Sequence, residues 1–155
     1  MANDPWSYAD KTGTEHANQV ALFMWANMAE QFGLKAADDP NSYRLAGTAK
    51  SWLNGYNDKL PQLRWLHAVH NQGHGDAIRG AKAKAEGVKG GVGDIFLPHP
   101  VAPYHGLYIE LKVGKNNPSD VQLKFIYDMT LAGYQAKVAY GWLEARKIIL
   151  DYLQI

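Results

Sequence analysis

Three side chains within residues 91–112, GVGDIFLPHPVAPYHGLYIELK, have the types and spacing to do chemistry. Asp94 follows Gly93 and opens an apolar run, Ile95-Phe96-Leu97. Glu110 and Lys112 stand two apart in an alternating run. Leu107, Ile109 and Leu111 fall on one face, and Tyr108, Glu110 and Lys112 on the other. A surface salt bridge would account for Glu110 and Lys112 alone, but not for Asp94. If the two runs pair across the proline-rich loop, Asp94 approaches Glu110, and like charges at ~4 Å repel by roughly 4 kcal/mol at an effective dielectric of about 20. Either one carboxyl then takes up a proton, or a hard divalent cation sits between them. Magnesium or manganese suits two carboxylates, a backbone carbonyl and waters. Lys112 would position or help deprotonate the attacking water and neutralise developing charge, which suits phosphodiester hydrolysis.

The flanking elements must hold these groups. Thr14 is an N-cap, and a helix is expected from Glu15 to about Phe32, stopped by Gly33, with Ala17, Val20, Ala21, Met24, Met28 and Phe32 as its buried stripe. Residues 1–13 read as a loose tail. Residues 34–62 read as a helical insertion, with a turn at Asp38-Asp39-Pro40-Asn41 and a short helix from Thr48 to Tyr56. Leu63–Val69 reads as a strand and residues 70–75 as a loop. Asp76 caps a helix to about Glu86. After the hairpin, Ser119 caps a helix ending at Ala132-Gly133, Tyr134–Tyr140 is a strand, and the last helix runs from about Trp142 to Leu153. A hairpin followed by a crossover helix implies an α/β fold with a mixed sheet and helices on both faces.

Composition narrows the class. A chain of 155 residues, 46% hydrophobic and 20% charged, fits one domain. Zero cysteines exclude disulfides, thiolate zinc sites and a cysteine nucleophile. No apolar stretch approaches a bilayer span and no signal core opens the chain, so a cytoplasmic location and no membrane partner are expected. The net charge of +1 argues against a wholly basic nucleic-acid coat. Residues 1–43 set two lysines against six carboxylates, a net −4, so the rest carries +5. Arg79, Lys82, Lys84 and Lys89, opposed by Glu86, form a local basic patch that either contacts phosphate backbones or is a solvated helix face.

Other polar residues have two readings each. Glu15 at a helix N-terminus is favourable to the dipole by itself. Ser119-x-x-Gln122 is a capping box, and Gln122 could also reach the site. His67, His70 and His74 match no strong zinc spacing. His70, Asn71 and His74 could instead line an entrance and touch phosphate.

Gly93-Asp94 followed by Glu110-Leu111-Lys112 resembles the PD-(D/E)XK nuclease signature, and in detail the VRR-NUC branch in its stand-alone phage form. Glu15-His16-Ala17-Asn18-Gln19, Leu66–Asn71, Lys84–Lys89 and Ser119–Gln122 resemble that branch's other motifs in the same order. The resemblance implies a restriction-endonuclease-like αβββαβ core from Glu15 to the C-terminus. It implies Asp94, Glu110 and the Leu111 carbonyl as ligands of Mg²⁺ or Mn²⁺, with Glu15 a third acidic group, direct or through water. Lys112 would be the catalytic lysine, and Gln122 would stand at the edge of the site. Where the branch prefers proline before the aspartate, this chain has Gly93, and His70 stands where phage relatives often have proline.

Together these readings give a metal-dependent DNA endonuclease. By resemblance it would select branched DNA such as four-way (Holliday) junctions and act as a homodimer, in the host cytoplasm if phage-encoded. A non-catalytic DNA-structure-binding module on the same fold is the alternative. A hydrolase using the paired carboxylates without metal is a third reading.

Overall fold

The computed structural model describes residues 4–45, 56–69 and 77–155. A helix α1, Pro5–Thr12, forms where a loose tail was expected. Asp4 accepts from Ser7 N at 2.8 Å, Pro5 takes the first helical position, where its missing N–H costs nothing, and Gly13 closes the helix in the left-handed region at φ 62°. Pro5 and Ala9 are buried, and Trp6 packs edge-on against Trp142 at 5.1 Å. The helix is therefore anchored to the core.

Helix α2, Glu15–Phe32, has the expected cap and stop: Thr14 Oγ1 accepts from Ala17 N at 3.1 Å, and Gly33 ends it. Two short helices follow, α3 at Leu34–Ala37 and α4 at Pro40–Leu45. Ala36, Ala37 and Tyr43 belong to the core, so this part of the expected insertion packs inward. The helix expected over Thr48–Tyr56 lies outside the described residues except for its last position.

The strand expected over Leu63–Val69 is mostly not one. Pro61–Trp65 is a 3₁₀ turn, and only His67–Ala68 pairs, as β1. Leu60, Leu63 and Leu66 are buried at intervals of three, the period of a 3₁₀ helix. The β-strand period of two is not what buries them.

Helix α5, Ala77–Ala85, precedes β2, Ile95–Leu97; then come β3, Leu107–Lys112, α6, Asp120–Leu131, β4, Gln135–Tyr140, and α7, Trp142–Leu153. The sheet has the order β1-β2-β3-β4, antiparallel except for the parallel pair β3–β4 joined through α6. This is the mixed sheet expected. Its core face presents Ile95, Leu97, Leu107, Ile109 and Leu111 to α2 and α7. The other face carries Phe96 stacked on Tyr108 at 4.2 Å, with Phe125 of α6 edge-on to Tyr108 at 5.1 Å.

One tie pins the helical layer. Asp38, capping α3, accepts from Trp25 Nε1 at 3.0 Å and from Arg146 Nε at 2.9 Å, with Arg146 lying over the Trp25 ring. α2, α3 and α7 thereby share one carboxylate.

Candidate active site

The hairpin register places the site. Ile95 pairs with Ile109, so one residue further on Asp94 stands across from Glu110. Asp94 Oδ2 accepts from Leu111 N at 2.9 Å. Leu111, expected to offer its carbonyl, thus uses its amide to fix the first carboxylate.

Glu110 is 1% exposed and Lys112 7%, although both lie on the face away from the main core. Lys112 Nζ stands 2.6 Å from Glu110 Oε1. The same oxygen accepts from Gln122 Nε2. Glu110 Oε2 is buried and receives no hydrogen bond from any described residue. Burial pushes the Glu110 carboxyl up to about 7; the Lys112 hydrogen bond and charge pull it down, and the charge of the neighbouring Asp94 and a hydrogen bond to its carboxylate raise it. Burial works to lower Lys112, but the hydrogen bond and charge of Glu110, with the charges of Glu15 and Asp94, outweigh it and leave the amine raised and positively charged.

Gln122 resolves its two readings by doing both jobs. Its Oε1 accepts from Ser119 N at 2.8 Å and its N–H is held by Ser119 Oγ, completing the capping box. That bond fixes which end of the amide faces the helix start, leaving Nε2 to donate to Glu110.

Glu15 is brought near Lys112, whose charge it supports. Its Oε1 accepts from Asn116 Nδ2 at 3.3 Å. A contact across 101 positions leaves no local signal in a sequence. Among the described residues no group of three or more His, Cys, Asp or Glu side chains stands close enough to hold a metal.

The residues present fit a hard cation in one respect that packing does not explain. A buried carboxylate oxygen without a donor is costly. The Oε2 atom of Glu110, across from a second carboxylate, is the kind of atom a divalent ion would satisfy.

Of the expected DNA contacts, Lys82, Lys84 and Lys89 are described and exposed, and Lys82 pairs loosely with Glu86 at 3.9 Å. Lys84 and Lys89 line an open hollow of about 510 Å³ with Gly87, Val88 and Gly90. Gly91, at φ 80°, has no Cβ, and Val121 of α6 occupies the space one would need. This seats the basic turn on α6, one residue before Gln122. The side chain of Arg79 and all of His70, Asn71 and His74 lie outside the described residues. His67 is exposed, its Nδ1 2.8 Å from the Trp65 carbonyl. An added Cβ at Gly93 would meet only ordinary contacts, at 3.5–3.6 Å, so the place where proline was expected is not distorted.

A search of family models finds no match, and no curated protein matches the sequence. Among solved structures, the fold is similar to one described as a VRR_NUC domain protein. The TM-score is 0.61 at 22% identity, over 91% of this chain and 88% of that one. At that identity the likeness concerns the fold.

Proposed function

We propose that the protein is a divalent-metal-dependent DNA endonuclease of the VRR-NUC type. One observation carries the reading: two donors converge on Glu110 Oε1 while Oε2, buried in the residue that faces Asp94, receives none from the described residues. Asp94 and Glu110 would hold Mg²⁺ or Mn²⁺, with the Leu111 carbonyl, and with Glu15 through water. When bound, the ion supplies a Lewis acid for the phosphate and lowers the pKa of water. Lys112, kept charged by Glu110, neutralises charge on the phosphate as the water oxygen bonds to phosphorus and the P–O ester bond breaks; the proton of the attacking water passes to solvent, and the leaving oxygen takes one up to become the hydroxyl end of the cut strand. Gln122 keeps Glu110 in one rotamer. Lys82, Lys84 and Lys89 supply sequence-independent contacts to the DNA backbone.

Branched DNA, four-way junctions above all, is the proposed substrate, and a homodimer the proposed form, since paired cuts need two sites. An exposed apolar stripe on α6, Leu123, Tyr127 and Leu131 at intervals of four, supports a second copy packing there. Sedimentation showing a monomer at assay concentration would remove the dimer.

The deciding experiment is a cleavage panel of single-stranded, duplex, flap and four-way DNA with Mg²⁺, Mn²⁺ or EDTA. It compares wild type with Asp94→Ala, Glu110→Ala and Lys112→Ala. Cutting that requires metal and all three residues supports the reading. No cutting of any substrate by wild type, or equal cutting by the variants, sinks it. DNA binding without cleavage would instead point to a non-catalytic structure-binding module.

A further inference from the structure

We infer that Asn18 is a positioning residue that holds the first turn of α2, and with it Glu15, in place against Lys112. The inference rests on the nuclease reading and adds a residue for which that reading has no use. Asn18 is 8% exposed, and both ends of its amide are bonded. Nδ2 donates to the Thr14 carbonyl at 2.9 Å, and Oδ1 accepts from Trp142 N at 3.0 Å.

Each partner has a position that matters. Thr14 is the N-cap of α2, and Glu15 is the next residue. Trp142 opens α7, whose own N-cap is Gly141, with no side chain to offer the free N–H groups of that helix end. Asn18 therefore caps α7 from 124 positions away. Gly141 lies at φ 86°, in the left-handed region that favours glycine, and a Cβ there would stand 3.4 Å from Asn18 Oδ1. Gly141 N donates to the Lys112 carbonyl at 2.8 Å.

A route of three hydrogen bonds thus runs from the Thr14 carbonyl, which Asn18 N also holds at 3.0 Å, through the Asn18 side chain, Trp142 N and Gly141 N to the Lys112 carbonyl. A helix cap needs only Oδ1. The Nδ2 bond to Thr14 turns the cap into a clamp between the turn that carries Glu15 and the strand end that carries the lysine. Asn116 holds the Glu15 carboxylate from its other end.

The test compares wild type, Asn18→Ala and Asn18→Asp with Tyr43→Phe, which loses a buried hydrogen bond to the Ala37 carbonyl and serves as a destabilised control. Amide hydrogen exchange is read on the metal-free protein, and Mn²⁺ affinity by calorimetric titration. Asn18→Ala should speed exchange at the amides of residues 17, 18 and 142 beyond the change in the control. It should also weaken Mn²⁺ binding by about tenfold, the usual scale for residues that orient metal ligands. Asn18→Asp keeps the acceptor for Trp142 and guards against a failure to fold. It should speed exchange at residues 17 and 18 while Trp142 stays protected. Unchanged exchange at these amides in both variants overturns the inference, and so does wild-type Mn²⁺ affinity in Asn18→Ala. A wild type that binds no Mn²⁺ and cuts no DNA, with exchange altered as expected, sinks the nuclease reading and leaves the clamp supported.

Discussion

Gln122 donates to the Glu110 oxygen that Lys112 already occupies, so the two oxygens of one buried carboxylate have opposite environments. The same Gln122 closes the capping box of α6. Helix stability and site geometry therefore pass through one side chain, and two variants separate them. Ser119→Ala removes the cap alone. It should lower stability by about 1 kcal/mol in thermal unfolding, with cleavage per folded molecule unchanged. Gln122→Ala should cost a similar amount of stability and also lower kcat by about tenfold or more. Equal kcat in the two variants would show that Gln122 is only a cap.

The raised Glu110 carboxyl makes a prediction for the metal-free protein. Its folded pKa of about 7 lies above the ordinary value of 4.5, so the folded state holds the proton more tightly than the unfolded chain does. The contribution is full below the unfolded value and is lost as pH rises toward 7. Above that both states are ionised and the loss is constant. Its size is about 3 kcal/mol from this group. Urea unfolding in EDTA from pH 4.5 to 8 should show the fall in wild type, and Glu110→Gln should flatten it. Parallel profiles would remove the proposed cause.

The basic turn makes a prediction for DNA. Lys84 and Lys89 are exposed and contact no described carboxylate closely, so they would act through phosphate and not through bases. Replacing both by alanine should weaken binding alike for unrelated sequences and lessen the salt slope of log K by about 1 per lysine. Cutting at saturating DNA should stay at the wild-type rate. Fluorescence anisotropy over a salt series measures the slope, and an unchanged slope would place the DNA elsewhere.

How far these features could be read from the chain depends on whether their causes are local. α2 and α6 were legible because Thr14, Gly33 and Ser119 mark their ends and, in α2, apolar residues repeat at helical intervals. The β2–β3 hairpin was legible from alternation, and with it the approach of Asp94 to Glu110. α1 was missed because Asp4-Pro5 reads as a turn when the helix following it is short. The 3₁₀ turn at Pro61–Trp65 was missed because three buried leucines at intervals of three imitate a strand's apolar content. The links Asn116–Glu15, Asn18–Trp142 and Arg146–Asp38 join residues more than 100 positions apart, and nothing local announces them. The burial of Lys112 is of the same kind.

Gly93 allows a last prediction, on the backbone before the first carboxylate. Its φ lies outside the left-handed region that favours glycine, and a Cβ would meet the Ile109 carbonyl, Phe125 and Tyr108 at 3.5–3.6 Å, ordinary contact distances. Glycine is therefore not needed there for shape, and its main effect is the extra freedom it gives the unfolded chain. Gly93→Ala should stabilise the protein by about 0.4–1 kcal/mol, seen as a higher midpoint in urea with an unchanged slope. Asp94 keeps its bond from Leu111 N, so Mn²⁺ affinity and cleavage should match wild type. A destabilised Gly93→Ala, or one that binds Mn²⁺ more weakly, would mean that the turn before Asp94 uses a conformation alanine cannot adopt.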